Sequence, residues 1–192
     1  MVFPLPDITA EKEAWRHRLL QDGLKGPYIA VVPGARWNVK EWPLDHWSRF
    51  LKRLTDKGLS AVVLGGSDDR EKGRRLKEKD ESGRVFDYTG KTNLRQLMAA
   101  IDESLVYLSA DTGPLHIANA LKKELIALFG TTSPERTGPY GGQDSAYIHL
   151  VISPTSKATP EEPLVDDPDC MARITVDAVW NLFEEVLKKV EP

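Results

Sequence analysis

A chain of 192 residues is long enough to bury a sizeable core and suits one domain. Its 41% hydrophobic and 29% charged residues are those of a globular protein, and a net charge of −3 excludes a basic field for nucleic acid or an anionic membrane surface. The single cysteine, Cys170, excludes an internal disulfide framework and fits a reducing compartment, and no stretch reaches the length of a transmembrane helix.

Residues 1–26 read as an approach or linker segment with one short helix, Glu11 to Leu20, closed by Gly23 and Gly26-Pro27. The start, Met-Val-Phe-Pro-Leu-Pro-Asp, lacks a basic-then-apolar signal pattern. Tyr28 to Val32, apolar and β-branched, reads as the first core strand. A small-residue turn, Pro33-Gly34-Ala35-Arg36, leaves it. A helix from Leu44 to Lys57 then carries Trp47, Phe50, Leu51 and Leu54 at helical spacing and stops at Gly58. Ala61 to Leu64 is the second strand. Gly65-Gly66-Ser67-Asp68-Asp69 follows, with Ser67 as a candidate cap for a charged helix running to Glu81, whose charges read as a solvated face.

Val85 to Tyr88 is the third strand, with Thr89-Gly90-Lys91-Thr92 as its exit. Thr92 or Asn93 caps a helix bearing Leu94, Leu97, Met98 and Ile101. Leu105 to Leu108 is the fourth strand, Asp111-Thr112-Gly113 a turn, and Pro114 the first residue of a helix with Ile117, Ala118 and Leu121 on one face. Leu125 to Phe129 is the fifth strand. The segment from Gly130 to Ala146 reads as a long surface loop and Tyr147 to Ile152 as the sixth strand. Pro154 to Asp169, with Pro160, Pro163 and Pro168, is an irregular crossing segment. Thr175 caps a last helix bearing Val176, Val179, Trp180, Phe183 and Leu187.

Six short strands alternating with helices imply an α/β fold, a doubly wound parallel six-stranded sheet of Rossmann-like type with strand order 3-2-1-4-5-6. That order sets strands one and four side by side, so their exit loops share the crevice where such sheets bind ligands. Gly34, Lys40, Thr112 and Gly113 then form a cradle of small residues, a helix N-terminus and a cation, suited to a diphosphate. A nucleotide-sugar fits that description. Strand one lacks a Gly-x-Gly-x-x-Gly turn. Walker A, zinc-type His/Cys spacing and a Gly-x-Ser-x-Gly elbow are also absent. Each residue has a plainer reading. Asp111 serves equally as a helix cap, His116, Lys91 and Arg36 as surface groups, and Trp42 as a core anchor.

Taken as an ordered series, Pro33-Gly34-Ala35, Lys40 with Trp42-Pro43, Gly65-Gly66, Gly90-Lys91-Thr92, Asp111-Thr112-Gly113-Pro114-Leu115-His116, Phe129-Gly130-Thr131-Thr132 and Cys170-Met171 resemble the C-terminal half of family 9 glycosyltransferases, the bacterial ADP-heptose:lipopolysaccharide heptosyltransferases. The resemblance implies a GT-B enzyme in which two Rossmann-like domains face a cleft. Residues 27–192 would be the nucleotide-sugar-binding domain. The acceptor-binding N-terminal domain, with its aspartate general base, lies outside this chain, so no catalytic residue is expected here and the isolated half should be inactive.

By resemblance, Lys40 binds the diphosphate or donor sugar and Asp111 the heptose hydroxyls. Thr112, Gly113 and Leu115 meet the phosphates through N–H groups, with His116 beside them. Ser67, Asp68 and Asp69 compete for the ribose, and Lys91 and Thr92 lie against the base. The expected partners are ADP-heptose and, through the other domain, a lipopolysaccharide core acceptor. The expected reaction is inverting. No acidic pair suits a metal–diphosphate clamp, so no cofactor or metal is expected. The expected location is the cytoplasm, including the inner face of the inner membrane. The oligomeric state stays open. The alternatives are a non-catalytic nucleotide-binding module and another nucleotide-sugar enzyme, such as an epimerase, on the same fold.

Overall fold

The structure, a computed structural model, describes residues 4–142, 145–162 and 167–190. Six parallel strands form one sheet in the order β3-β2-β1-β4-β5-β6, as expected. They are β1 (Tyr28–Val32), β2 (Ser60–Val63), β3 (Val85–Asp87), β4 (Tyr107–Ala110), β5 (Leu125–Phe129) and β6 (Ile148–Ile152). The helices are α1 (Thr9–Gln21), α2 (Leu44–Asp56), α3 (Arg70–Glu78), α4 (Leu94–Asp102), α5 (Gly113–Ala120), α6 (Pro134–Thr137) and α7 (Val176–Val190).

Period-two alternation within the strands splits the core into two layers. Ile29, Val31, Ala61, Val63, Leu108, Ala110, Ile126 and Leu128 face α2, α3 and α7, where Trp42, Trp47, Phe50 and Phe183 pack edge to face. Trp42 is a core anchor: its Nε1 donates to the Ile174 carbonyl at 2.8 Å. Tyr28, Ala30, Val32, Tyr107, Leu125 and Ala127 face α1, α4 and α5.

Four expectations are corrected. The segment before residue 27 is no linker, because α1 is part of the second layer. Trp15 and Leu19 are 2% and 5% exposed, and Trp15 Nε1 donates to the Tyr28 hydroxyl at 2.8 Å. Tyr28 in turn donates to the Ala100 carbonyl at 2.6 Å. Ion pairs Lys12–Asp102, Arg16–Glu103 and Arg95–Glu11 join α1 to the ends of α4.

Strand β4 is displaced by two residues from the apolar run Leu105 to Leu108. Leu105 and Val106 only enter the sheet, through Tyr28 and Ala30, and the buried Ser109 extends it because its hydroxyl is satisfied by the Ala110 carbonyl. Asp111 therefore stands directly at the strand end. The charged helix begins at Arg70 and ends at Glu78, and Asp69 rather than Ser67 closes its entry by accepting the Gly66 N–H at 2.9 Å. The stretch after β5 is not wholly a surface loop: Thr131, Thr132 and Ser133 are buried and α6 follows. Pro163 of the crossing segment lies outside the described residues. The other caps stand as expected on Asn93, which forms a capping box with Gln96, and on Thr175.

At the β3 edge, Val85 and Asp87 turn their main-chain groups away from β2. Two side chains meet them. Asp80 Oδ2 accepts the Val85 N–H at 2.8 Å, and Lys91 Nζ donates to the Asp87 carbonyl at 2.6 Å.

Candidate functional site

The loops leaving β1 and β4 meet as the strand order requires. After β1 the chain turns through Pro33 to Trp37 into a short 3-10 turn, Asn38–Lys40. Lys40 Nζ reaches Asp111 Oδ2 at 2.7 Å, with the two side chains 13% and 7% exposed. The same ammonium sits 4.8 Å from the centroid of the half-exposed Trp37 ring, within cation–π range. Asp111 Oδ2 also accepts the hydroxyls of Thr132 and Thr137, each at 2.9 Å. These threonines follow β5 and close α6.

Helix α5 starts at Gly113, beside Asp111, with Thr112 as its N-cap residue. Its first turn is sparing in donors. Pro114 has no N–H, and the Leu115 N–H turns to the Thr112 carbonyl at 3.2 Å. Among the described residues the Gly113 N–H takes no main-chain partner, and a Cβ at this position would meet nothing within 4 Å. The entry to α5 is thus open on the side an anion would approach. The Leu115 side chain is fully buried. His116 is exposed and lines a groove of about 340 Å³ with Asn119, Pro134, Arg136 and Pro139.

Gly34 has a steric reason to be glycine. A Cβ there would lie 1.7 Å from Asp69 Oδ1, so the space beside it belongs to the β2 exit loop. That carboxylate belongs to a chain of polar contacts. Ala35 N–H donates to Glu41 at 3.0 Å, Lys72 Nζ lies 2.6 Å from Glu41, and Lys72 also lies 3.3 Å from Asp69. Burial opposes the Lys72 charge, but Glu41 and Asp69 outweigh it and raise its pKa above the ordinary lysine value. The β1 and β2 exits are thereby fixed to each other.

Of the expected residues, the structure brings Lys40, Asp111, Thr112 and Gly113 together, with Gly34 one turn away along the β1 exit. The nucleoside set stands apart, at the exits of β2 and β3. Ser67 and Asp68 are exposed, with their side chains 3.3 Å apart, and Thr92 is half-buried. Lys91 is engaged with its own strand exit, at Asp87. Thr137, Glu41 and Lys72 were not singled out from the sequence. Thr132 entered only as part of a motif. Among the described residues no group of His, Cys, Asp and Glu is placed to hold a metal ion, and no helix is long and apolar enough to cross a membrane.

Residues 4–164 match the profile of glycosyltransferase family 9 (heptosyltransferase). The chain is 34% identical over 167 residues to lipooligosaccharide heptosyltransferase 2 of Haemophilus ducreyi, covering 84% of this chain and 48% of that protein. It is 32% identical over 143 residues to lipopolysaccharide heptosyltransferase 2 of Escherichia coli, covering 72% and 41%. The solved structure of the E. coli ADP-heptose lipopolysaccharide heptosyltransferase II superposes with a TM-score of 0.78 at 24% identity, over 98% of this chain and 54% of that one. The chain thus spans about half the length of the relatives it matches. With the profile running through β1 to β6 and both loops of the Lys40–Asp111 pair inside it, the chain belongs to glycosyltransferase family 9.

Proposed function

We propose that this chain is the donor-binding half of a heptosyltransferase that takes heptose from ADP-heptose to a hydroxyl of the lipopolysaccharide core, with inversion at the anomeric carbon. The observation that carries this reading is the Lys40–Asp111 pair beside the open N-terminus of α5, at the crevice between β1 and β4. On this reading the diphosphate lies over Gly113 and draws Lys40 to itself. A diphosphate oxygen carries formal charge and several lone pairs, so it competes well with a carboxylate for the ammonium. The leaving ADP gains charge as the glycosidic bond breaks, and Lys40 with the α5 N-terminus stabilises that charge without needing a metal.

Asp111 faces the heptose. Its Oδ1 takes no hydrogen bond among the described residues and is open to a sugar hydroxyl. Ser67, Asp68, Lys91 and Thr92 take the nucleoside, and Leu115 and His116 border the phosphates. The acceptor and the general base belong to a partner domain outside residues 1–192. The reaction belongs on the cytoplasmic side of the inner membrane.

Calorimetric titration with ADP, GDP, UDP and their sugars tests the reading. ADP and ADP-heptose should bind, and the other nucleotides should bind at least tenfold more weakly. Addition of a core acceptor to this chain alone should give no transfer. Equal binding of all the nucleotides, or transfer at an ordinary rate, would overturn it.

A further inference from the structure

The Asp111 carboxylate is held unevenly. Lys40, Thr132 and Thr137 all donate to Oδ2, at 2.7, 2.9 and 2.9 Å, and none of them to Oδ1. One carboxylate oxygen offers about two good lone-pair directions, so three donors exceed its capacity and one can leave without freeing the group. The three differ in what else they can do. Lys40 is a cation on a flexible stem whose ammonium already has a second neighbour, the Trp37 ring. Thr132 is 3% exposed and follows directly on β5. Thr137 closes α6, and its one hydroxyl proton has two acceptors in reach, Asp111 Oδ2 at 2.9 Å and the Ser133 carbonyl at 3.1 Å. An ionised oxygen is the stronger acceptor, so the proton goes to Asp111.

We propose that Thr132 and Thr137 are positioning residues that hold Asp111 in place of Lys40, so that Lys40 can be handed over to the donor diphosphate. This rests on the donor-site reading above. Without the two hydroxyls, the departure of Lys40 would strand a nearly buried carboxylate with no donor, a state costly enough to keep the ammonium where it is. With them, Lys40 changes partner while Asp111 keeps its place. Thr137 has a further effect. Its helix borders the His116 groove, so the carboxylate and that wall of the site are tied together.

The test is calorimetry with ADP on the 192-residue chain. Thr132→Val combined with Thr137→Val should weaken ADP about tenfold, the scale of one hydrogen bond to a charged group. Thr132→Ser with Thr137→Ser should stay within twofold of wild type. In an Asp111→Asn background, where no carboxylate competes for the ammonium, the valine pair should cost nothing further. An equal loss in both backgrounds would make the threonines a merely structural support and overturn the proposal. So would an undiminished affinity in the valine pair with Asp111 present.

If the valine variants do not fold, nuclear magnetic resonance of the wild-type chain decides. On ADP addition the Lys40 Nζ signal should move while the methyl signals of Thr132 and Thr137 stay. Threonine methyls that move with the lysine would overturn the handover. A wild-type chain that binds no ADP overturns the donor-site reading and the handover with it. Binding with background-independent losses overturns the handover alone.

Discussion

Lys40 and Asp111, 71 residues apart in sequence, meet at 2.7 Å across the boundary between β1 and β4. Neither side chain is free, and each neutralises the other in a setting of low exposure. The pair is therefore a mutually satisfied contact. Its two members should respond differently to substitution.

Lys40→Ala should weaken ADP and ADP-heptose alike, by about 1.5–3 kcal/mol for a lost charged hydrogen bond. Asp111→Asn should weaken ADP-heptose by a similar factor yet leave ADP unchanged or bound more tightly, since the ammonium is no longer claimed by a carboxylate. Titration of both variants with both ligands checks this. Equal losses for Asp111→Asn would reduce that residue to a support of the strand end.

The two glycines of the site should also part company. Gly34→Ala forces a methyl against Asp69, and the exits of β1 and β2 must both shift, so a loss of about 2–4 kcal/mol in urea unfolding is expected. Gly113→Ala finds open space at the first position of α5 and should stabilise the chain by about 0.4–1 kcal/mol while weakening ADP. Loss of stability in Gly113→Ala would show that the α5 entry is already filled.

Helix α1 should behave as core. Trp15→Ala removes a side chain 2% exposed and leaves the Tyr28 hydroxyl without one of its partners, for an expected cost of about 3–5 kcal/mol. A change below about 1 kcal/mol in the urea midpoint analysis would return residues 1–26 to the status of a tether.

Acid should loosen the same junction. Burial alone would raise the Glu103 carboxyl, but Arg16 and Lys12 outweigh it and hold its pKa below the ordinary value of 4.5. A carboxyl with a lowered folded pKa contributes its full stability above that ordinary value and loses it as pH falls through the folded one. Urea midpoints should therefore decline on acidification below about pH 4.5, and Glu103→Gln should flatten that decline. An unchanged acid limb in Glu103→Gln would place the sensitivity elsewhere.

The strand order was legible because each strand is a short apolar run, the first four are each followed by a helix with its own spacing, and right-handed crossovers leave few ways to arrange six of them. The Lys40–Asp111 region was legible for the same reason: topology alone puts those two exits together. Trp15 and Leu19 read as one face of a short helix, but two apolar residues among charged neighbours do not show that this face belongs to the core. The steric reason for Gly34 was not legible, because the group that needs its space, Asp69, comes from another loop and leaves no mark at position 34. Thr137 could not be seen at all. Its value depends on a one-turn helix placing a hydroxyl over a carboxylate 26 residues earlier, and four residues are too few to carry a helical periodicity.

The β3 edge has a consequence for the company this molecule keeps. A parallel sheet that ends in an uncovered strand is a template on which another chain can zip. Here the Val85 N–H is taken by Asp80 and the Asp87 carbonyl by Lys91, one plug at each end of a three-residue edge. A visiting strand would have to evict that carboxylate and that ammonium to use these two groups. The edge is narrowed by its own side chains, and Lys91, proposed above to meet the nucleoside, also ties down the end of its own strand and so lowers the risk of edge-to-edge aggregation.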